Sequence, residues 1–384
     1  MKKVTLSVSA GLLILIASGC KEDPTTGDLP CAYSSDAVLS DRNDGVDYVC
    51  NCDVDISSGT FTVEPGVVIE FTSEGGLSVS GNATVKMNGT ASDPIVLRGK
   101  SSSPGAWQGI RIESEEAGNE LSHVQVMHAG SRNFSTVAGG FIYDNKAAVV
   151  VEGKAKITHT SVSASGGYGV AFLSGAGSNG FADNTISQSN GFPLFLYAGQ
   201  LNNTSLASCS FSANTKNYIG IYSKSSNEEV YEEVNFIQTP VPYYSIKGLS
   251  FVNKTTMAEG TVLVMANNTG IYVQGNEYLK INGTAAKPVS IRGEEALAGF
   301  WRGLLVNTNN PANVFNYLNI SDGGSEKLGL MPKKANLALA DAKPAQLTIN
   351  NCTSLNSGAH QLSVSGTDGL LTNNSPAITD IVPH

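Results

Sequence analysis

The groups best suited to moving protons near neutral pH are five histidines: His123, His128, His159, His360 and His384. They are scattered, and no Gly-x-Ser-x-Gly nucleophile motif accompanies them. His123 and His128 lie in SHVQVMHAG, whose twin later in the chain, NYLNISDGG, carries Tyr317 and Asp322 instead. A chemistry shared by both copies needs the same groups in both, so these histidines read as surface or turn residues. Proton abstraction beside a uronate needs a base of suitable pKa and neutralisation of the charge on the substrate's own carboxyl. Three acidic stretches are candidates: DRNDGVD (Asp41 to Asp47), ESEE (Glu113 to Glu116) and EEVYEE (Glu228 to Glu233). The first resembles a calcium loop through Asp41, Asn43, Asp44 and Asp47, yet it is one residue short of the D-x-[DN]-x-[DN]-G spacing. The other two read as solvated loops.

Cysteine chemistry is limited in the same way. Cys50 and Cys52 are two apart on an expected strand and share a face, so they do not bond comfortably to each other. Cys31 with one of them makes a plausible staple for the end of the molecule. A metal site on Cys50-x-Cys52 lacks a second Cys/His pair nearby. Cys209 and Cys352 fall at equivalent turn positions and read as small buried residues. Trp107 and Trp301, the only two tryptophans, offer flat faces on which a sugar ring stacks, with Arg98 and Arg292 close by as hydrogen-bond donors. The competing reading packs each indole at a corner, its N–H on a backbone carbonyl.

The elements that position these residues are repeated. Residues 61 to 131 align on 255 to 325 without a gap. MNGTASDPIVLRG (Met87 to Gly99) matches INGTAAKPVSIRG (Ile281 to Gly293), and GAWQG (Gly105 to Gly109) matches GFWRG (Gly299 to Gly303). Such duplications are read before any fold is assigned. A finer period runs inside each copy: Ile69, Ile95 and Leu121 are 26 apart, while Thr160, Asn184 and Cys209 are spaced by 24 and 25. Each unit runs strand, Asn/Ser/Gly turn, strand, with alternating apolar pairs such as Ile110/Ile112 and Val124/Val126. One unit alone cannot bury its apolar face, and stacking units in register does. Propeller blades need about 40–50 residues and a recurring hairpin signature. Neither is present. No Asp/Glu pair with Arg or Lys recurs at the spacing of one unit.

ITHTSVSASGGYGVAF, FADNTISQSNGFPLFL and LASCSFSANTKNYIGIY resemble coils of the right-handed parallel β-helix in the pectin-lyase-like superfamily. The resemblance covers most of residues 46 to 375 and implies an all-β solenoid. It also implies that a catalytic member would carry clustered carboxylates, often with a metal ion and a basic residue, in a groove on one sheet.

The chain opens MKKVTLSVSAGLLILIASGC, a positive start, a short apolar run and small residues before Cys20. This resembles the lipobox of bacterial lipoproteins, in which Cys20 is acylated and becomes the first residue. Lys21 after it implies the outer membrane, and Lys-Glu-Asp resembles a surface-export signal. The formal net charge of −9 opposes nucleic-acid binding, which needs basic patches. The expected organisation is a signal peptide at 1–19 and a tether with N-terminal cap at 20–45, then copy 1 at 46–243 and a continuous copy 2 at 244–384. Segments Ser131 to Lys146 and Ser325 to Asn336 are expected to leave one face as twin loops. The expected function is a non-catalytic binding or adhesion module for a glycan or an envelope protein. No cofactor is expected unless the Asp41 loop takes Ca²⁺. The alternatives are a polysaccharide lyase or hydrolase on the same scaffold, and a structural spacer.

Overall fold

The structure, a computed structural model, describes residues 26–42, 45–134, 146–173, 176–329, 331, 333–340, 345–365 and 370–383. Cys20, Asn43, Asp44 and His384 lie outside them.

The chain is a right-handed parallel β-helix. Among the described residues it returns to the same sheet every third strand until the last one, and five sheets contain eight, thirteen, seven, seven and six strands. Alternation explains the inside and the outside. In Ile110–Ile112 the two isoleucines are buried and Arg111 points out. Ile69, Leu97, Val126, Val162, Ile186 and Phe211 stack in register down one wall of the main apolar core. Thirteen strands at about 4.8 Å each give a rod of roughly 60 Å.

Two expectations change. The 26-residue spacing does not mark stacked positions: Ile69 pairs with Leu97, while Leu121 lies in another sheet between Met87 and Ile157. Turns of unequal length make the coils unequal, so equal spacing does not ensure stacking. The coils also begin before Val46. Gly27–Asp28, Ala32–Tyr33 and Ala37–Leu39 already form three strands in register with the next coil.

The duplication does not stack like on like. Ile95–Gly99 belongs to the eight-stranded sheet, but its twin Val289–Gly293 belongs to the thirteen-stranded one. Ile110–Ile112 lies in the thirteen-stranded sheet, and its twin Gly303–Val306 lies in the seven-stranded sheet that starts at Glu229–Val230. Thr84–Asn88 and Leu279–Asn282 are displaced likewise, so every one of these strands moves one place along the three-strand cycle. Identical motifs therefore face different directions.

A shift of one face cannot be absorbed by every sheet. Among the described residues only the thirteen-stranded sheet takes strands from both aligned repeats, 61–131 and 255–325. Thr204–Ser205 and Ser210–Ser212 end their sheets, and Glu229–Val230 and Val234–Phe236 begin new ones. At this seam a side chain replaces the missing ladder. Asn202 Oδ1 accepts the Asn235 N–H at 2.9 Å, and its Nδ2 donates to the Glu233 carbonyl at 2.8 Å.

Candidate functional site

The twin corners carry the two tryptophans. Both rings are fully buried, and the indole N–H of Trp107 donates to Met127 O at 2.8 Å, that of Trp301 to Ser321 O at 2.7 Å. Phe71 stacks on Trp107 with centroids 3.9 Å apart. No ring face is open for a sugar. Gly109 and Gly303 follow at φ of 102° and 112°, and a Cβ there would meet carbonyls Ala148 O and Ala335 O at 2.6 and 2.5 Å. That close approach explains the repeated Gly-x-Trp-x-Gly. Arg98 faces Glu70 at 3.6 Å, whereas Arg292 donates to Gly293 O at 2.9 Å. The structure does not bring these four residues together into one platform.

The histidine positions share a backbone role. His123 and its twin Tyr317 have φ of 52° and 48°, and His128 and its twin Asp322 have 63° and 67°. Left-handed turn residues, not a shared reaction, unite these positions. His123 and His159 stack with centroids 4.7 Å apart. Burial, followed by the Arg98 charge, lowers the His128 pKa.

Cations meet two of the acidic stretches. Arg111 bridges Glu113 at 2.9 Å and Glu152 at 2.7 Å, and Lys224 holds Glu232 at 2.7 Å. Asp47 is buried, and its two oxygens accept the Arg42 N–H at 2.7 Å and the Val68 N–H at 2.8 Å. Among the described residues no group of three His, Cys, Asp or Glu converges as a metal requires. Cys31 and Cys52 are joined, with Cα atoms 5.8 Å apart, while Cys50 is buried beside them as a thiol whose pKa burial raises. Cys209 and Cys352 are buried and unpaired in disulfides. The Asn184 side chain accepts the Thr160 N–H at 3.0 Å, so those two turns do stack.

The twin loops preserve a contact while changing its chemistry. Arg132 Nε donates to Gln108 Oε1 at 2.7 Å, and Arg132 also pairs with Asp53. At the equivalent place Arg302 lies 3.4 Å from Glu326. The base has moved from the loop to the strand entry.

On the outer face of the thirteen-stranded sheet, Arg111, Val150, Ala171, Phe195, Gly220 and Tyr244 follow one another in register. Gly220 leaves room for two rings, because a Cβ there would stand 2.8 Å from Phe192 and 2.9 Å from Phe195. Phe195 stacks on Tyr222 at 4.8 Å, and Lys216 lies 5.2 Å from the Tyr244 ring centre. These rings are almost completely buried, so this sheet has apolar packing on both faces for several coils.

Two hollows lie at the seam. A cleft of about 230 Å³ is lined by Leu201, Asn202, Thr204, Leu206, Asn235, Ile237 and Tyr243. A second hollow of about 290 Å³ adjoins it in sequence on both walls, at Ala207 and at Gln238, Thr239 and Pro240. Tyr243 packs edge-on against Phe236 at 5.2 Å, and its hydroxyl is buried. The Ile237 backbone and the Thr239 hydroxyl are its polar neighbours. Sequence reading missed this site, because it depends on two sheets ending, not on a motif. Its one signal was the place where the two copies meet.

Burial pushes the Tyr243 pKa up to about 12 and raises that of Tyr222 further. An unfolded tyrosine ionises near 10, so the stability that these rings provide is complete below pH 10 and is lost as pH rises toward 12. For Tyr243 the loss is roughly 2–3 kcal/mol. Ultraviolet titration should therefore show these two tyrosines ionising only together with loss of β circular dichroism. Smooth titration of all tyrosines near pH 10 in a folded chain would contradict their burial.

No family model, no curated protein and no solved structure matches this chain.

Proposed function

We propose that this protein is a non-catalytic binding module for a glycan, held at the outer membrane of a bacterial envelope by lipid on Cys20. The observation that carries the reading is the lining of the seam cleft, where amide, hydroxyl and apolar side chains meet and no Asp, Glu, His, Lys or Arg is present. Such a surface makes hydrogen bonds to a polar neutral ligand but offers no group that exchanges a proton near pH 7. The anchor rests on the opening twenty residues, whose pattern ends at Cys20. Attached through several acyl chains, the rod stands off the membrane without spanning it.

The test is a polysaccharide screen of the purified chain, with and without Ca²⁺, reading retention together with new reducing or unsaturated ends. Retention without product is the expected result. Product formation would replace the reading with a lyase or hydrolase. Absence of both would leave a protein ligand or a spacer role.

A further inference from the structure

The seam cleft has a chemistry narrower than that of glycans in general. We propose that it is a subsite for a single neutral pyranose unit; this deepens the glycan-binding reading and rests on it. Its volume of about 230 Å³ lies below the ~300–1,000 Å³ of pockets for drug-sized ligands, which suits one ring, and a further unit of a longer chain would fall to the adjoining hollow of about 290 Å³. Leu201, Leu206 and Ile237 supply the apolar surface against which the C–H face of a pyranose packs. The polar groups are held in place before any ligand arrives. Thr256 donates to Asn235 Oδ1 at 2.6 Å, which leaves the Asn235 amide N–H groups as donors. Asn202 is fixed by its two bonds across the seam, and Thr204 donates to Leu201 O at 2.7 Å, leaving the hydroxyl oxygen to accept. The Tyr243 ring completes the apolar wall.

Charge sets the class. Taking a uronate or sulfate out of water needs a cation beside it, and none lines the cleft. Lys224 pairs with Glu232 at 2.7 Å and Lys287 with Glu259 at 3.5 Å. A peptide added as a strand is disfavoured by length. The free edge at Thr204–Ser205 is two residues long and lies between two 3-10 turns, Ala198–Asn203 and Leu206–Ser208.

The experiment measures affinity of the purified chain for neutral gluco-, manno-, galacto- and xylo-oligosaccharides, against uronate-containing and sulfated ones. Asn235→Ala and Asn235→Asp are measured beside it, with Lys86→Ala on a distant exposed position as control. Melting midpoints verify that each variant is folded, and Leu206→Ala provides a second lining change independent of Asn235. Binding of a neutral oligosaccharide is expected, weakened about ten-fold by either Asn235 change and unaffected in the control. If a neutral sugar binds the wild type, Asn235→Ala and Leu206→Ala equally, the subsite is elsewhere and only the glycan reading survives. Preference for acidic sugars would overturn the inference in the same way. If no saccharide in the panel binds, both the subsite and the glycan reading fall.

Discussion

Trp107→Ala should lower the stability of the rod by about 3–5 kcal/mol, the usual cost of emptying a fully buried aromatic site. The indole is closed in on all sides and its N–H reaches Met127 O, so the change leaves a cavity and an unpaired acceptor together. Trp301→Ala should act the same way but cost about 1 kcal/mol less. Trp107 stacks on Phe71, and the position aligned with Phe71 in the second copy is Met265, so one ring pair is lost in the first variant only. Urea denaturation followed by circular dichroism measures both, since each variant removes one of the two fluorescent tryptophans. Saccharide retention by the two folded variants below their transitions should equal that of the wild type. An unchanged midpoint with lost retention would instead make the tryptophans ligand platforms.

The β-helix was legible because its signal is repetitive and local. Alternation at Ile110/Ile112, turn residues between strands and a gapless internal match each describe a stackable unit, whichever neighbours it meets. Even a buried bond is repeated: Asn119 accepts the Val85 N–H at 2.9 Å, and its twin Asn313 accepts that of Leu279 at 3.0 Å. What the alignment cannot carry is the phase of one copy against the other. That phase depends on how many strands separate them, and weak two-residue strands such as Thr204–Ser205 and Glu229–Val230 decide it. The Trp corners were visible as motifs, yet their burial follows from register, which sets whether a ring points in or out. The cleft was invisible for a related reason. It is made by strands that end, and Leu201, Asn235 and Tyr243 form no pattern until the seam brings them together.

Asp47→Ala tests the other end of the molecule and the calcium reading with it. Asp47 is fully buried just before strand Tyr48–Cys50, and its carboxylate joins two segments of the N-terminal coils. One oxygen accepts from Arg42 in the preceding loop, the other from Val68 at the start of the next coil. Hydrogen bonds to a charged acceptor contribute about 1.5–3 kcal/mol each, so removing both should cost about 3 kcal/mol or more. Asp47→Asn should fall between, because an amide has one acceptor oxygen and presents N–H groups where the second acceptor stood. The loss should be the same in Ca²⁺ and in chelator, since a carboxylate committed to two backbone donors is acting as a cap. A melting midpoint raised by Ca²⁺ in the wild type, and indifferent to it in Asp47→Ala, would make Asp47 a metal ligand and return Asp41, Asn43 and Asp44 to consideration as its partners. Because solenoid coils depend on their immediate neighbours, the defect should stay near the N-terminal end. Hydrogen exchange should therefore accelerate first in Tyr48–Cys50 and Val68–Phe71, while Leu304 to Val306 remain protected.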